Sequence, residues 1–196
     1  DEAVRYAQSL VPKPRLVINL SKEFEDATDP EDFPGETVKA IFDEIKRTQS
    51  IVCVAAGNGS GDVTQPAKTG IDPANGYEDH VLVVGAIDRD DAIYVNSCRG
   101  QVEMVYAPGS DVISTYKSSG SELHKGVSGT SFAAPHVTAL VANLWSEYPE
   151  LPAARIVELL KSTCRKPATA EAVATFSGEA SYGRGIIDAW AALAAL

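Results

Sequence analysis

Residues 126–137 read Gly-Val-Ser-Gly-Thr-Ser-Phe-Ala-Ala-Pro-His-Val, and both the fold and the chemistry of the chain depend on them. Gly129 allows a turn in which a β-carbon would clash, and Ser131 falls where an apolar helix begins. A hydroxyl there lies at the positive end of the helix dipole, beside N–H groups that have no acceptor within the helix. Such N–H groups can face a developing oxyanion, so the pattern predicts a nucleophile at Ser131. The alternative is an ordinary helix with a serine cap, because serine is a favoured N-cap residue.

A second segment, residues 51–58, reads Ile-Val-Cys-Val-Ala-Ala-Gly-Asn, an apolar strand that ends in small residues and an amide. Together the two segments resemble the subtilisin-like serine proteases. In that family, Gly-Thr-Ser-x-Ala-x-Pro-His carries the nucleophile and Ala-Ala-Gly-Asn carries a side-chain oxyanion donor. Both patterns occur here residue for residue and in the family's order. The resemblance covers nearly the whole chain through four further segments, at residues 17–21, 81–88, 107–109 and 183–188.

The resemblance implies a serine endopeptidase, an enzyme that hydrolyses peptide bonds through a Ser/His/Asp triad. It implies that Ser131 is the nucleophile, that Asn58 donates its side-chain N–H to the tetrahedral oxygen, and that Thr130 supports Asn58. It further implies substrate contacts by residues near the ends of two strands, namely Ser21, Ala55 and Gly57. The expected partner is therefore a peptide or protein substrate, and no cofactor is required.

The family's other two catalytic groups have no counterpart in the sequence. The Asp-Thr-Gly strand end and the His-Gly-Thr-His helix of the family precede the segment that begins at Val17, and neither pattern occurs here. A serine hydroxyl is a weak nucleophile unless an oriented base takes its proton. We therefore expect an upstream segment of a longer parent to supply Asp and His, and the chain alone to be inactive. The chain has three histidines that could be considered as a substitute base. His80 and His124 are interpreted as solvated loop residues, and His136 belongs to the helix motif, where the family has a structural residue.

Strand-like and helix-like segments alternate along the chain, which is typical of a parallel sheet with crossover helices. We expect an α/β fold with a three-layer, doubly wound, mostly parallel sheet of the subtilisin type, as one domain over residues 1–196 that forms the C-terminal half of the family's fold. Predicted strands cover residues 16–20, 51–56, 81–87, 102–107 and 112–116, and predicted helices cover residues 36–48, 131–148, a segment from 153 and residues 188–196.

The first predicted strand has a special position in the resembled fold. There, the strand that carries the catalytic Asp pairs with it, so the strand from Leu16 to Leu20 would be a bare edge in this chain. An unpaired, apolar edge is a template for another strand. The expected partner along this edge is the N-terminal half of the parent domain or a second copy of the chain.

The composition is that of an ordinary globular protein, with 44% hydrophobic and 22% charged residues in 196. A net charge of −10 argues against a nucleic-acid partner, because phosphate binding needs a basic stripe. No apolar run approaches the roughly 18 residues that cross a bilayer, and the charged first residues are no signal peptide. The resemblance itself favours a secreted or periplasmic location. The cysteines show no metal-ligand spacing, and Cys53 is expected to be a small buried hydrophobe.

Asp88 begins the run Asp-Arg-Asp-Asp, which resembles the start of a calcium loop. Ala92 and Ile93 stand where further oxygen ligands belong, so a solvated turn is the simpler interpretation. Because some subtilases bind a weak cation near this position, Asp88 is a candidate for a weak structural calcium site.

Two interpretations of function stay open, a portion of a subtilisin-like endopeptidase and a non-catalytic pseudoprotease or interaction module. Lys22-Glu23-Phe24 favours the second, because the family usually has Leu-Gly-Gly where its backbone pairs with substrate. Residues 23–36 carry seven carboxylates, which would favour basic substrates in a working cleft. An esterase of the α/β-hydrolase type is set aside, because that fold needs its acid and its histidine well after Ser131.

Overall fold

The computed structural model describes residues 15–21, 35–59, 76–99, 103–115, 124–167 and 182–196. Its strands in these ranges are Val17–Leu20 (β1), Ile51–Ala55 (β2), Val81–Ile87 (β3), Val105–Pro108 (β4), Val112–Thr115 (β5), His124–Val127 (β6) and Gly185–Ile186 (β7). Its helices in the same ranges are Gly35–Arg47 (α1), Thr130–Glu147 (α2), Ala153–Ser162 (α3) and Ala189–Ala194 (α4).

Five of these strands form one parallel sheet in the order β1-β2-β3-β4-β7. The register is set by pairs such as Val17 with Ile51 and Val52 with Val81. Strands β5 and β6 form a separate antiparallel pair. Within the described residues β1 lies at the edge of the sheet and pairs with β2 alone. The parallel sheet predicted from the alternation of strands and helices is confirmed.

Successive residues of β2 point to opposite faces of the sheet and define the layers. Ile51, Cys53 and Ala55 join a core cluster with α2 and α3, whereas Val52 and Val54 pack in another cluster with residues of α1. All five residues are almost fully buried, as expected for a strand covered on both faces. Helices therefore cover both faces of the sheet, and the predicted three-layer α/β architecture is confirmed.

Helix α2 is the long apolar helix, and it contacts β1, β2, β3 and β4. Its buried face is built largely from small residues, including Ala133 and Ala134, so the helix can lie close to the strands. It begins at Thr130, one residue before the predicted start. Pro135 lies inside it and has no N–H, so the carbonyl of Ser131, four residues earlier, receives no helical hydrogen bond. None of the described helices is both long and apolar enough to cross a membrane.

Candidate active site

Ser131 is the second residue of α2 and follows a sharp turn at Gly129. Gly129 is the N-cap residue, with a φ of 147°, and this helix terminus has no side-chain cap. The alternative in which Ser131 caps an ordinary helix is therefore wrong. The half-buried Ser131 hydroxyl instead donates a 3.3 Å hydrogen bond to the carbonyl oxygen of Ser21, directly after β1. The predicted nucleophile thus lies in the first helical turn, at the carboxyl end of the sheet's edge strand.

Ser21 contacts residue 131 in both directions. Its hydroxyl donates to the carbonyl oxygen of Ser131 at 2.8 Å, while its own carbonyl accepts from Ser131 Oγ. The first of these contacts replaces the helical hydrogen bond that Pro135 cannot make. The structure therefore brings Ser21, predicted as a substrate-binding residue, directly beside the predicted nucleophile.

Thr130 connects the end of β2 with the start of α2. Asn58 Oδ1 accepts from the backbone N–H of Thr130 at 2.9 Å and from Thr130 Oγ1 at 3.4 Å. The N–H of Gly57 donates in turn to Thr130 Oγ1 at 3.1 Å. The Thr130 side chain is fully buried, whereas Asn58 is exposed. Because the Asn58 oxygen accepts these bonds, the amide NH₂ is the end of that side chain that donates.

Two glycines allow the segments of the site to approach one another. A β-carbon at Gly129 would lie 3.2 Å from Asn58 Oδ1, at a φ that disfavours any other residue. The N–H of Gly129 donates to the carbonyl of Gly109 at 2.7 Å. A β-carbon at Gly109 would lie 2.6 Å from the Ala86 β-carbon on β3 and 3.0 Å from the Ala133 β-carbon on α2, so a side chain there would force the loop after β4 away from both elements. The sequence alone predicts no role in the site for Gly109, although its Ala-Pro-Gly segment is one of the family matches.

The histidines of the chain lie away from Ser131. His80 is buried, not solvated as predicted, and its Nδ1 lies 2.9 Å from the carbonyl oxygen of Ser50, at the opposite end of β2 from the site. His124 is exposed on β6. His136 is exposed on α2, with Nδ1 2.8 Å from the carbonyl oxygen of Phe132. All three are among the described residues, and none of them is a hydrogen-bond partner of Ser131 there.

The other predicted substrate-binding residues have different surroundings. Ala55 is buried in the core between β2 and α2, so only its backbone can meet a ligand. Gly57 is buried, donates its N–H to Thr130 and accepts at its carbonyl from the N–H of Cys98 at 2.9 Å. Substrate contact by these two residues stays a prediction. Lys22-Glu23-Phe24 and most of the acidic segment that contains them lie outside the described residues.

The candidate cation residue Asp88 organises a turn. Its Oδ1 accepts from the backbone N–H groups of Asp90 at 2.9 Å and Ala92 at 3.0 Å. The neighbouring Asp91 pairs with both guanidinium nitrogens of Arg165 at 2.6 Å, and this contact lowers the pKa of the Asp91 carboxyl. In the described part of the chain, no three His, Cys, Asp or Glu residues form a group that could hold a metal ion. A weak calcium site at Asp88 stays a prediction.

The three cysteines are free thiols. Cys53 is fully buried on β2, which confirms its prediction as a small buried hydrophobe, and burial raises its pKa to about 12. Burial also raises the pKa of Cys164 to about 12. Neither of these thiols is ionised at neutral pH.

A serine in the first turn of a helix, with a carboxamide beside that turn, places hydrogen-bond donors where an oxyanion could be stabilised. Residues 2–185 match the model of the Subtilase family, and the chain belongs to this family. The chain is 33% identical over 161 residues to Subtilisin DY of Bacillus licheniformis. The aligned residues are 79% of this chain and 51% of that protein. It is 34% identical over 110 residues to Proteinase R of Parengyodontium album. The aligned residues are 56% of this chain and 26% of that protein.

Solved structures agree with this assignment. A protease structure from Pseudoalteromonas arctica superposes with a TM-score of 0.66 at 28% identity, over 93% of this chain and 52% of the other. A lanthipeptide protease superposes with a TM-score of 0.72 at 21% identity, over 98% of this chain and 65% of the other, and supports the fold alone. The chain thus spans about half the length of Subtilisin DY and of the Pseudoalteromonas arctica structure.

Proposed function

We propose that this chain supplies the nucleophile and the oxyanion donors of a subtilisin-like serine endopeptidase. Ser131 Oγ attacks the scissile carbonyl, and the side-chain amide of Asn58 and the backbone N–H of Ser131 stabilise the tetrahedral oxygen. One observation carries the proposal: the buried Thr130 hydrogen-bonds Asn58 and Gly57 and directly precedes Ser131. Through Thr130, the amide and the hydroxyl are held in one rigid arrangement, as oxyanion stabilisation requires.

The substrate in this proposal is an extended peptide. It would run along the end of β1 beside Ser21 and approach the ends of β2 at Ala55 and Gly57, where backbone groups pair with a strand-like ligand. The net charge of −10 favours peptides with basic residues. A secreted or periplasmic location belongs to the same proposal.

The general base comes from outside these 196 residues. Ser131 donates its proton to a backbone carbonyl, which is not a base, and the three histidines are engaged or exposed elsewhere. We place the missing Asp and His on the N-terminal portion of a longer parent. That portion would dock by strand addition along the edge from Leu16 to Leu20, where β1 has one described neighbour.

Labelling with a fluorophosphonate tests this division of the triad. The isolated chain should stay unlabelled, because no base activates Ser131. The chain mixed with, or fused to, the N-terminal portion of the parent should be labelled at Ser131 and should hydrolyse peptides. Ser131→Ala is the matched control and should abolish both signals. Stoichiometric labelling of the isolated chain would show that it contains its own base, and an unlabelled complete protein would reject the proposed function.

Amide exchange tests the proposed docking edge separately. The N–H groups of residues 16–20 that point away from β2 should exchange fast in the isolated chain and slowly once the N-terminal portion is added. Strong protection in the isolated monomer would mean that the edge is already paired within the chain. The proposal that the N-terminal portion docks there would then have to be abandoned.

The non-catalytic alternative has one specific observation in its favour. Lys22, Glu23 and Phe24 follow Ser21 where the family usually has small residues, and larger side chains there would crowd the approach of a substrate backbone. A pseudoprotease of this kind would bind an extended peptide without cleaving it. It predicts that the complete protein binds peptide beside Ser21, past the end of β1, and remains unlabelled by fluorophosphonate.

A further inference from the structure

A chain of polar contacts runs from the middle of α2 through β1 to the nucleophile. Thr138 Oγ1 donates to Asn19 Oδ1 at 3.2 Å, sharing its proton with the carbonyl of Ala134 at 3.0 Å. Asn19 Nδ2 donates to Ser21 Oγ at 2.9 Å, and Ser21 Oγ donates to the carbonyl oxygen of Ser131 at 2.8 Å. Thr138 lies two helical turns after Ser131, so the contacts close a loop between α2 and β1.

The direction of each donor determines what this chain of contacts does. The Ser21 hydroxyl has one proton, and because its oxygen already accepts from the Asn19 amide, that proton is committed to the Ser131 carbonyl. Pro135 provides no N–H to the Ser131 carbonyl, so the Ser21 hydroxyl, from the residue after β1, donates a hydrogen bond to that carbonyl instead. The Ser131 hydroxyl donates back to the Ser21 carbonyl. The position of the nucleophile therefore depends on which way the Ser21 hydroxyl points.

We propose that Asn19 and Thr138 are positioning residues for Ser131, acting through the Ser21 hydroxyl. The proposal rests on the proposed function, since the purpose of the arrangement is to hold a nucleophile. Asn19 is exposed and Thr138 is half-buried, so neither side chain is a major part of the core. Thr138 fixes the Asn19 amide with its oxygen toward α2, which leaves the NH₂ end to face Ser21.

Two nearly isosteric substitutions break the contacts at different places. Asn19→Asp replaces the donor beside Ser21 with an acceptor, so the Ser21 proton turns toward residue 19 and releases the Ser131 carbonyl. Thr138→Val removes the hydroxyl that orients Asn19 and changes no charge. Thr138→Ser keeps that hydroxyl and is the conservative rescue. Ser146→Ala, at an exposed position on α2, controls for substitution in the helix.

The kinetic test uses the complete protein, with the N-terminal portion present. Asn19→Asp and Thr138→Val should each lower kcat and kcat/KM by about 2- to 10-fold with KM nearly unchanged, the effect of losing the one hydrogen bond that Ser21 donates to the Ser131 carbonyl. The double variant should lose no more than Asn19→Asp alone, because both act on one hydroxyl. Thr138→Ser and Ser146→Ala should match the wild type. Unchanged kcat in both single variants, or additive losses in the double variant, would overturn the proposal.

A second measurement separates this proposal from the proposed function. In the isolated chain with ¹³C-labelled serine, scalar couplings report whether the Ser131 side chain keeps one χ1 rotamer. We expect one rotamer in the wild type and in Thr138→Ser, and averaged couplings in Asn19→Asp and Thr138→Val. Couplings that stay unaveraged in the last two variants would overturn the positioning role. If the complete protein proves inactive, the proposed function fails and the couplings alone decide the positioning role.

Discussion

Replacing Thr130 with valine tests the connection between β2 and α2 without requiring activity. In the structure, Thr130 Oγ1 accepts the N–H of Gly57 at 3.1 Å and donates to Asn58 Oδ1 at 3.4 Å. Thr130 is fully buried, and Gly57 is buried as well. Valine fills nearly the same volume, so the substitution leaves no cavity but removes the acceptor for a buried N–H. Asn58 Oδ1 keeps its stronger contact, the 2.9 Å bond from the Thr130 backbone.

The magnitude follows from that single unsatisfied group. A buried donor left without a partner costs about 1–3 kcal/mol in the free energy of unfolding. For a chain of this length each kcal/mol lowers Tm by about 2–4 °C, so Thr130→Val should unfold roughly 2–12 °C below the wild type. Thr115→Val is the matched control, because Thr115 is exposed on β5. A surface substitution of this kind should stay within about 0.5 kcal/mol of the wild type.

Urea unfolding of the isolated chain, followed by circular dichroism, measures both variants. Thr130→Val should lose stability with an unchanged dependence of the unfolding free energy on urea, and Thr115→Val should keep the wild-type stability. If Thr130→Val is as stable as the wild type, the Gly57 N–H does not depend on the threonine hydroxyl. The proposed role of the Thr130 hydroxyl in fixing Gly57, the residue before Asn58, would then be refuted.

Three further predictions concern catalysis, thiol reactivity and pH. In the complete protein, Asn58→Ala should lower kcat by about 10²–10³-fold and leave KM nearly unchanged, a magnitude taken from a subtilisin rather than from this chain. Loss of affinity with unchanged turnover would show that Asn58 only binds substrate. Because burial raises the pKa of Cys53 to about 12, a disulfide reagent at pH 8 should leave Cys53 unmodified in the native chain and modify it in urea; native modification at Cys53 would contradict this. Arg165 lowers the pKa of Asp91, so the pair stabilises the fold above the ordinary carboxyl pKa and stops doing so as pH falls through the lowered value. Arg165→Gln should therefore lower the free energy of unfolding in urea by under about 1 kcal/mol at pH 7, because the pair is partly exposed. The difference from the wild type should shrink at pH 2. A stability deficit that persists at pH 2 would assign the effect to packing.

The local patterns in the sequence predicted the layers of the fold well. The run from Ile51 to Ala55 is apolar at every position, and the structure covers β2 on both faces, as that pattern requires. The start of α2 was predicted within one residue, because a glycine followed by an apolar run marks a helix terminus. Strand β4 begins at Val105, and residues 103 and 104 are described but not part of it, so the strand predicted from 102 began too early; residue 102 itself lies outside the described residues.

The residues that the sequence did not reveal act through contacts between distant segments. Thr138 and Asn19 are 119 positions apart, and nothing in either local pattern shows that the two side chains meet. Gly109 is needed because α2 and β3 both approach it closely, and that requirement exists only in the folded chain. His80 follows a tyrosine and two carboxylates and was predicted to be solvated. In the structure a backbone carbonyl satisfies its ring nitrogen in the interior, and the local sequence could not show that contact.

The site is built in a way that separates its geometry from its activation. Ser131 is held by Ser21 after β1, by its neighbour Thr130, which is bonded to Gly57 after β2, and by the glycine turn beside Gly109, and all of these contacts lie within the chain. None of them is made by an ionisable side chain, so the arrangement does not depend on pH or on a base. A catalytic and a non-catalytic relative could share this geometry unchanged. What distinguishes them is whether a base reaches Ser131 and whether the residues after Ser21 leave room for a peptide, and the fluorophosphonate and peptide-binding experiments address these two questions separately.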